Sequence, residues 1–235
     1  RTESAAAVLA AHGVGEGDVV AVLLPNRVDL IIALFGAWRL GAAVTPINPV
    51  LGDVEARYQL TDAGARIVVT DTGRDLGISA LTPSVLAEGD APGLPPRGPR
   101  PDSDLALLIY TSGTTGSPKG VMLTHANLDA MTASFAEWFE LGVADHSRLV
   151  LPLFHANGIV LGTLTPLRAG GRVTITGRFS RDRFFDDVER VRPTYFSAVP
   201  AIYALLSTLP EDVRPDTSSL RFGVCGAAPM PVEAP

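Results

Sequence analysis

Cysteine is almost missing from this chain: Cys225 stands alone among 235 residues. That excludes an internal disulfide framework and fits a reducing cytoplasm. Long apolar runs are missing as well. The best candidate, residues 28–44, is broken by Asp29 and Arg39, so no transmembrane span is expected. Lysine and arginine form no block and the net charge is −6, which argues against a nucleic-acid surface. The four histidines, His12, His125, His146 and His155, belong to no His/Cys/Asp cluster at ligand spacing, so zinc is not expected. No internal repeat is evident. Nothing at the N-terminus reads as a signal peptide, although the start reads as truncated. With 46% hydrophobic residues, there is enough apolar material for a sizeable core in one or two domains.

What is present is alternation. Residues 3–11 read as the end of an Ala-rich helix, 18–24 as an apolar strand, and Asn26 as the cap of a helix with Val28, Ile31, Ile32 and Phe35 on one face. A strand at 43–46, a helix at 53–62 and a strand at 66–70 follow. From Thr72 to Asp102 six prolines, starting at Pro83, break any regular pattern, and the stretch reads as a surface connection. Next come a buried strand at 104–110 and a short apolar run at 121–123. Thr124 caps a helix that puts Leu128, Met131, Phe135 and Trp138 on one inward face. The second half repeats the pattern. Strands are read at 148–153, 172–176, 194–198 and 221–225. An apolar helix is read at 158–167, a Ser180-capped helix at 181–191, and a Pro200-started helix at 201–209. The fold class is therefore α/β, mainly parallel sheets layered with helices. Its divisions are a first segment at 1–71, a Pro-rich connection at 72–103 and a segment at 104–235. In open α/β sheets ligands bind beyond the carboxyl ends of strands, and Tyr110, Phe154, Val199 and Cys225 all end strands in this reading.

The chain is organised around Tyr110-Thr-Ser-Gly-Thr-Thr-Gly-Ser-Pro-Lys-Gly120. Its glycines let backbone come close to a ligand. The hydroxyls of Thr111, Ser112, Thr114 and Thr115 donate and accept, and Lys119 adds a mobile cation. Such a loop suits a polyphosphate. It is not a Walker A loop: counted from Gly113, Pro118 takes the place of the second glycine and Gly120 that of the magnesium-binding hydroxyl. A polar surface turn is the alternative.

This stretch resembles the phosphate loop of the adenylate-forming superfamily, the acyl- and aryl-CoA synthetases, peptide-synthetase adenylation domains and luciferases. The resemblance extends over the whole chain, most closely to the N-terminal domain of a fatty-acid or acyl-CoA ligase. It implies that Thr111, Ser112, Gly113, Thr114, Thr115, Gly116 and Lys119 hold the ATP phosphates, with Lys119 and Thr115 taking part in catalysis. Leu151 to Gly158 resembles the segment that gates acyl and CoA entry, which assigns His155, Asn157, Gly158 and Ala198 to that gate. Gly226, Ala227, Ala228 and Pro229 resemble the segment lining the adenine and acyl pockets.

From the bare sequence a lone histidine such as His155 is more often structural, and it is the resemblance that assigns it to the gate. Around it Ala156, Gly158, Ile159, Val160, Phe196, Ala198 and Val199 are apolar or small. Malonate-type ligases carry an Arg shortly after a Pro-x-x-Tyr element, whereas here Pro200-Ala-Ile-Tyr203 is followed by Ala204 and Leu205. A second carboxylate would then lie buried without a partner, an expensive arrangement. Amino-acid adenylation domains place an Asp where His155 stands. The implied reaction is ATP- and Mg2+-dependent formation of acyl-AMP from a monocarboxylic acid, then transfer to CoA, by a cytoplasmic enzyme. No metal ligand of the family falls within this span. The Glu that holds Mg2+, the ribose-binding Asp and the C-terminal catalytic Lys are expected beyond Pro235, so the chain alone is expected to be inactive. An acyl carrier protein as acceptor, or a non-catalytic nucleotide- or acyl-binding module, are the alternatives.

Overall fold

The computed structural model describes residues 1–88, 101–111, 117–210 and 213–229. The chain divides into two compact units, Arg1–Asp129 and Ala130–Pro235.

The first unit is built on a six-stranded sheet in the order β4-β3-β1-β2-β5-β6. Its central strand, β1 (Val19–Leu23), is apolar at every position and buried at all five. Such an unbroken run belongs to a strand covered on both faces. β2 (Ala43–Pro46) and β3 (Ala65–Thr70) flank it in parallel. β5 (Leu105–Thr111) lies parallel outside β2. α1 (Thr2–Ala11) packs on α2 (Val28–Leu40). α2 is buried on most sides and stops at Gly41, whose φ of 80° is a left-handed conformation that glycine adopts freely. α3 (Asp53–Asp62) links β2 to β3, with Ala56 and Leu60 packed among Ala21, Leu23, Ile47 and Val68.

Two expectations need correction in this unit. The cap of α2 is Arg27 rather than Asn26, held by ion pairs to Asp29 at 2.5 Å and Asp71 at 2.8 Å. The stretch read as a bare connection carries β4 (Ala80–Leu81), a parallel edge strand, and a 3-10 turn, Val85–Ala87. Leu76, Leu81 and Leu86 are buried there, because three isolated leucines anchor a segment too short for any period to show. Pro92, Pro95, Pro96 and Pro99 lie outside the described residues. The apolar run at 121–123 belongs to β6 (Lys119–Thr124), which is antiparallel to β5. The sheet is thus mixed at this edge.

α4 (His125–Trp138) follows at once. Thr124 and Asn127 cap it reciprocally. The Asn127 N–H donates to Thr124 Oγ1 at 3.1 Å, and the Thr124 N–H donates to Asn127 Oδ1 at 3.0 Å. Leu128 is buried, but Trp138 is 81% exposed, so the inward stripe does not reach the end of the helix.

The second unit is a four-stranded, fully parallel sheet, β10-β9-β7-β8. The strands are β7 (His146–Leu149), β8 (Arg172–Ile175), β9 (Tyr195–Ala198) and β10 (Phe222–Cys225). Neighbouring residues of a strand point to opposite faces. On one face Ser147 and Tyr195 reach the segment that joins β7 to β8. On the other, Val150, Phe196 and Ala198 pack with Phe184 and Val188 of α6 (Phe184–Val191) and with Ile202, Tyr203 and Leu206 of α7 (Pro200–Ser207). α6 starts at Phe184 after Arg183, so Ser180 is not its cap. Among the described residues no helix is long and apolar enough to cross a membrane.

The segment expected as an apolar α-helix at 158–167 is instead a π-helix, Asn157–Leu164, followed by one α-helical turn, α5 (Thr165–Arg168). Pro166 accounts for part of the difference. It has no N–H to give the carbonyl of Gly162 four residues back, and the Ser147 hydroxyl donates to that carbonyl at 2.8 Å instead. The hydroxyls of Thr163 and Thr165 donate five residues back, to Gly158 at 2.9 Å and Val160 at 2.8 Å.

Candidate functional site

Two clusters carry the expected chemistry, one in each unit. In the first, Ser112, Gly113, Thr114, Thr115 and Gly116 lie outside the described residues, while both flanks of the loop are described. Thr111 ends β5 and Lys119 begins β6, and the two are paired across the hairpin. The Thr111 hydroxyl reaches the Lys119 carbonyl at 3.5 Å. Gly120 permits a close approach: a Cβ there would come within 3.0 Å of Leu108 and 3.4 Å of the Tyr110 ring. Lys119 is the only lysine in the chain and is exposed. An exposed ammonium at the base of a loop rich in glycine and hydroxyls is suited to a phosphate.

In the second unit the strands' carboxyl ends bring His155, Asn157, Gly158, Ala198 and Gly226 into one neighbourhood. Asn157 opens the π-helix, and its Oδ1 accepts the Ser197 hydroxyl of β9 at 2.9 Å. Cys225 pairs with Ala198, and the Gly226 N–H donates to the Ala198 carbonyl at 3.2 Å. A Cβ on Gly226 would stand 3.7 Å from Asn157 Nδ2. The tightest approach is at Gly158, where a Cβ would fall 2.2 Å from the Pro152 carbonyl oxygen; only glycine lets the chain leave β7 and enter the π-helix there. Ala227 sits at φ 66°, a left-handed conformation that costs a non-glycine residue roughly 1–2 kcal/mol. Strain of this kind gathers at ligand-binding segments.

His155 is exposed on one side, and its ring centroid lies 4.5 Å from that of Phe154. Burial of its other side pushes the imidazole below its ordinary range, so it is neutral at pH 7. Tyr203 of α7 donates to the Val224 carbonyl at 3.1 Å, and burial, then the nearby Cys225, pushes its phenol up to about 12. Ala204 and Leu205 are exposed on α7. Arg148 is buried on the α6 face of β7. It pairs with Asp187 at 2.9 Å and stacks 4.3 Å over Phe184, pointing away from the π-helix that carries Asn157. No sequence signal marked Ser197 as the partner of Asn157, since forty residues separate them. Among the described residues no group of three or more His, Cys, Asp or Glu side chains is arranged to hold a metal.

A family model described as AMP-binding enzyme matches residues 1–235. The chain is 36% identical to the sulfoacetate–CoA ligase of Cupriavidus necator, over 95% of this chain and 47% of that protein. It is 30% identical to the long-chain-fatty-acid–CoA ligase FadD13 of Mycobacterium tuberculosis, over 95% of this chain and 48% of that protein. The inhibitor-bound N-terminal domain of FACL13 from Mycobacterium tuberculosis superposes with a TM-score of 0.85 at 29% identity, over 98% of this chain and 62% of that one. The chain thus spans about half the length of the curated relatives it matches.

Proposed function

The chain belongs to the AMP-binding enzyme family, and from that premise we propose that the full-length protein converts a monocarboxylic acid with an apolar acyl group to acyl-AMP and then to acyl-CoA. The observation that carries the first step is the hairpin pairing of Thr111 with Lys119, which puts the chain's only lysine at the base of a loop of glycines and hydroxyls. A carboxylate oxygen attacks the α-phosphorus of ATP and the bond to pyrophosphate breaks. Negative charge gathers on the leaving group, and Lys119 with the hydroxyls of Thr111, Ser112, Thr114 and Thr115 is suited to hold it. Such a step depends on positioning and charge neutralisation more than on covalent help. Mg2+ arrives with the ATP as part of the substrate. In the second step the CoA sulfur attacks the acyl carbonyl and AMP leaves.

The two relatives differ in the acid they are named for, sulfoacetate and long-chain fatty acid, so family membership leaves the acyl group open. The surroundings of His155 favour the uncharged one. Burial is what lowers its pKa, and Arg148 is committed to Asp187 on the far face. A distal carboxylate would lose water with no cation identified among the described residues around His155 to replace it, a cost of several kcal/mol, or roughly a hundredfold or more in selectivity. The cytoplasm is the compartment we assign.

Acid-dependent exchange of pyrophosphate into ATP tests the reading in the full-length protein. Hexanoate or benzoate is expected to support it with kcat/KM about a hundredfold above malonate. Lys119→Ala is expected to lower the rate roughly ten- to hundredfold, the scale of a charge-assisted hydrogen bond. No exchange with any acid would overturn the adenylation step, and a preference for malonate would overturn the acyl assignment. Thioester formation with CoA, and none with a carrier protein, is the outcome expected for the second step.

A further inference from the structure

Both flanks of the loop are tied to one helix that has no part in the chemistry above. The Tyr110 hydroxyl, on the β5 side, donates to Asp62 Oδ2 at 2.6 Å. The Tyr58 hydroxyl donates to the Pro118 carbonyl, on the β6 side, at 3.1 Å. Tyr58 and Asp62 are four residues apart on α3, one above the other on the same stripe of the helix. α3 is itself fixed. Its other stripe, Ala56 and Leu60, is buried in the core, and Asp53 at its start pairs with Arg74 at 2.6 Å. Arg57 donates to the Asp75 carbonyl at 2.5 Å.

We infer that Tyr58 and Asp62 of α3 are positioning residues that set the separation and register of Tyr110–Thr111 and Pro118–Lys119, and hence the placement of the Lys119 cation for phosphate. The inference rests on the reading of Lys119 given above. Hairpin pairing alone leaves such a place free to fray, because β6 has β5 as its one neighbour among the described residues. Two contacts from a docked helix, one on each flank of the loop, reduce that freedom, and pre-paid orientation is what a transition state dominated by charge placement rewards. Burial, and then the hydrogen bond to Asp62, hold the Tyr110 phenol well above its ordinary range, so it remains a donor throughout the working pH range.

The experiment compares Tyr58→Phe, Asp62→Ala, Asp62→Asn and Lys119→Ala in the full-length protein, by pyrophosphate exchange at varied ATP and varied acid. Tyr58→Phe and Asp62→Ala are each expected to worsen kcat/KM for ATP about three- to tenfold, with KM for the acid unchanged and the melting temperature within a few degrees of the parent. Asp62→Asn keeps an acceptor for Tyr110 and is expected to restore most of the loss, which a merely structural loss of charge would not. If Lys119→Ala lowers exchange while Tyr58→Phe and Asp62→Ala match the parent, the positioning role is wrong and the phosphate role stands. If Lys119→Ala also matches the parent, the underlying reading of Lys119 is wrong. Equal losses for ATP and acid, tracking the melting temperature, would reduce Tyr58 and Asp62 to packing.

Discussion

Single side chains set the pH response of the second unit. His146 is buried, 8% exposed, and its Nε2 lies 2.7 Å from Thr174 Oγ1. Burial, and then the Arg172 cation, push its pKa below the ordinary value. In the window below the unfolded value of about 6.5, the unfolded chain takes up a proton that the folded chain refuses, so stability falls as pH drops. The loss ends once pH passes the lowered folded value, and its slope is at most about 1.4 kcal/mol per pH unit. Denaturant midpoints measured from about pH 7 down to about pH 5 are expected to decline, and to decline less in His146→Gln. A flat profile in the parent would place His146 in solvent. His155 shifts in the same direction but faces solvent on one side, so it adds less. Asp145 acts in the same direction, in a lower pH window. Burial would raise its pKa, but the hydrogen bonds from Thr194, the Gly142 N–H and Arg221 win and keep it ionised. Its contribution is lost only in stronger acid, below the unfolded carboxylate value of about 3.9.

At the scale of elements, the π-helix is where sequence reading and structure part most. Residues 157–164 are almost uniformly apolar, and an apolar run carries no information about whether its turns hold 3.6 residues or more. The deciding groups are polar and partly remote: Ser147 on β7, Thr163 and Thr165 within, and the missing N–H of Pro166. Thr163→Val and Ser147→Ala keep or reduce volume while removing one donor each. Each is expected to cost about 1 kcal/mol, because a buried hydrogen bond is lost. Urea unfolding of the two variants would measure it, and changes within a few tenths of a kcal/mol would show that the hydroxyls follow the helix rather than hold it. Other elements were legible because their signals are local. β1 is a run of five apolar residues, α2 ends at a glycine, and Thr124 stands where a cap belongs. Trp138 was misplaced because helical period assigns a face but not where the covering neighbour stops. For the candidate site, the side chains that contact its motif residues and their flanks, Tyr58, Asp62 and Ser197, carried no sequence signal. Each of those partnerships joins residues at least forty positions apart.

For the whole molecule, the strand arrangement has a consequence for hydrogen exchange. β1 lies between β3 and β2, buried at every residue, and its amides are released only when the first unit opens as a whole. β6 is the last strand of the same sheet, paired on one side among the described residues, with Val121 43% and Met122 68% exposed. Its amides are expected to exchange by local fraying, several orders of magnitude faster than those of β1. Tyr58→Phe should speed β6 further and leave β1 untouched, and uniform protection across the sheet would contradict that. Lys119 therefore rides on an edge strand of a sheet whose centre is buried. Opening of β6 would displace the Lys119 cation that we propose for phosphate while leaving the rest of the fold intact. Nucleotide binding would be seen first as slower exchange in β6, before any change in the melting temperature.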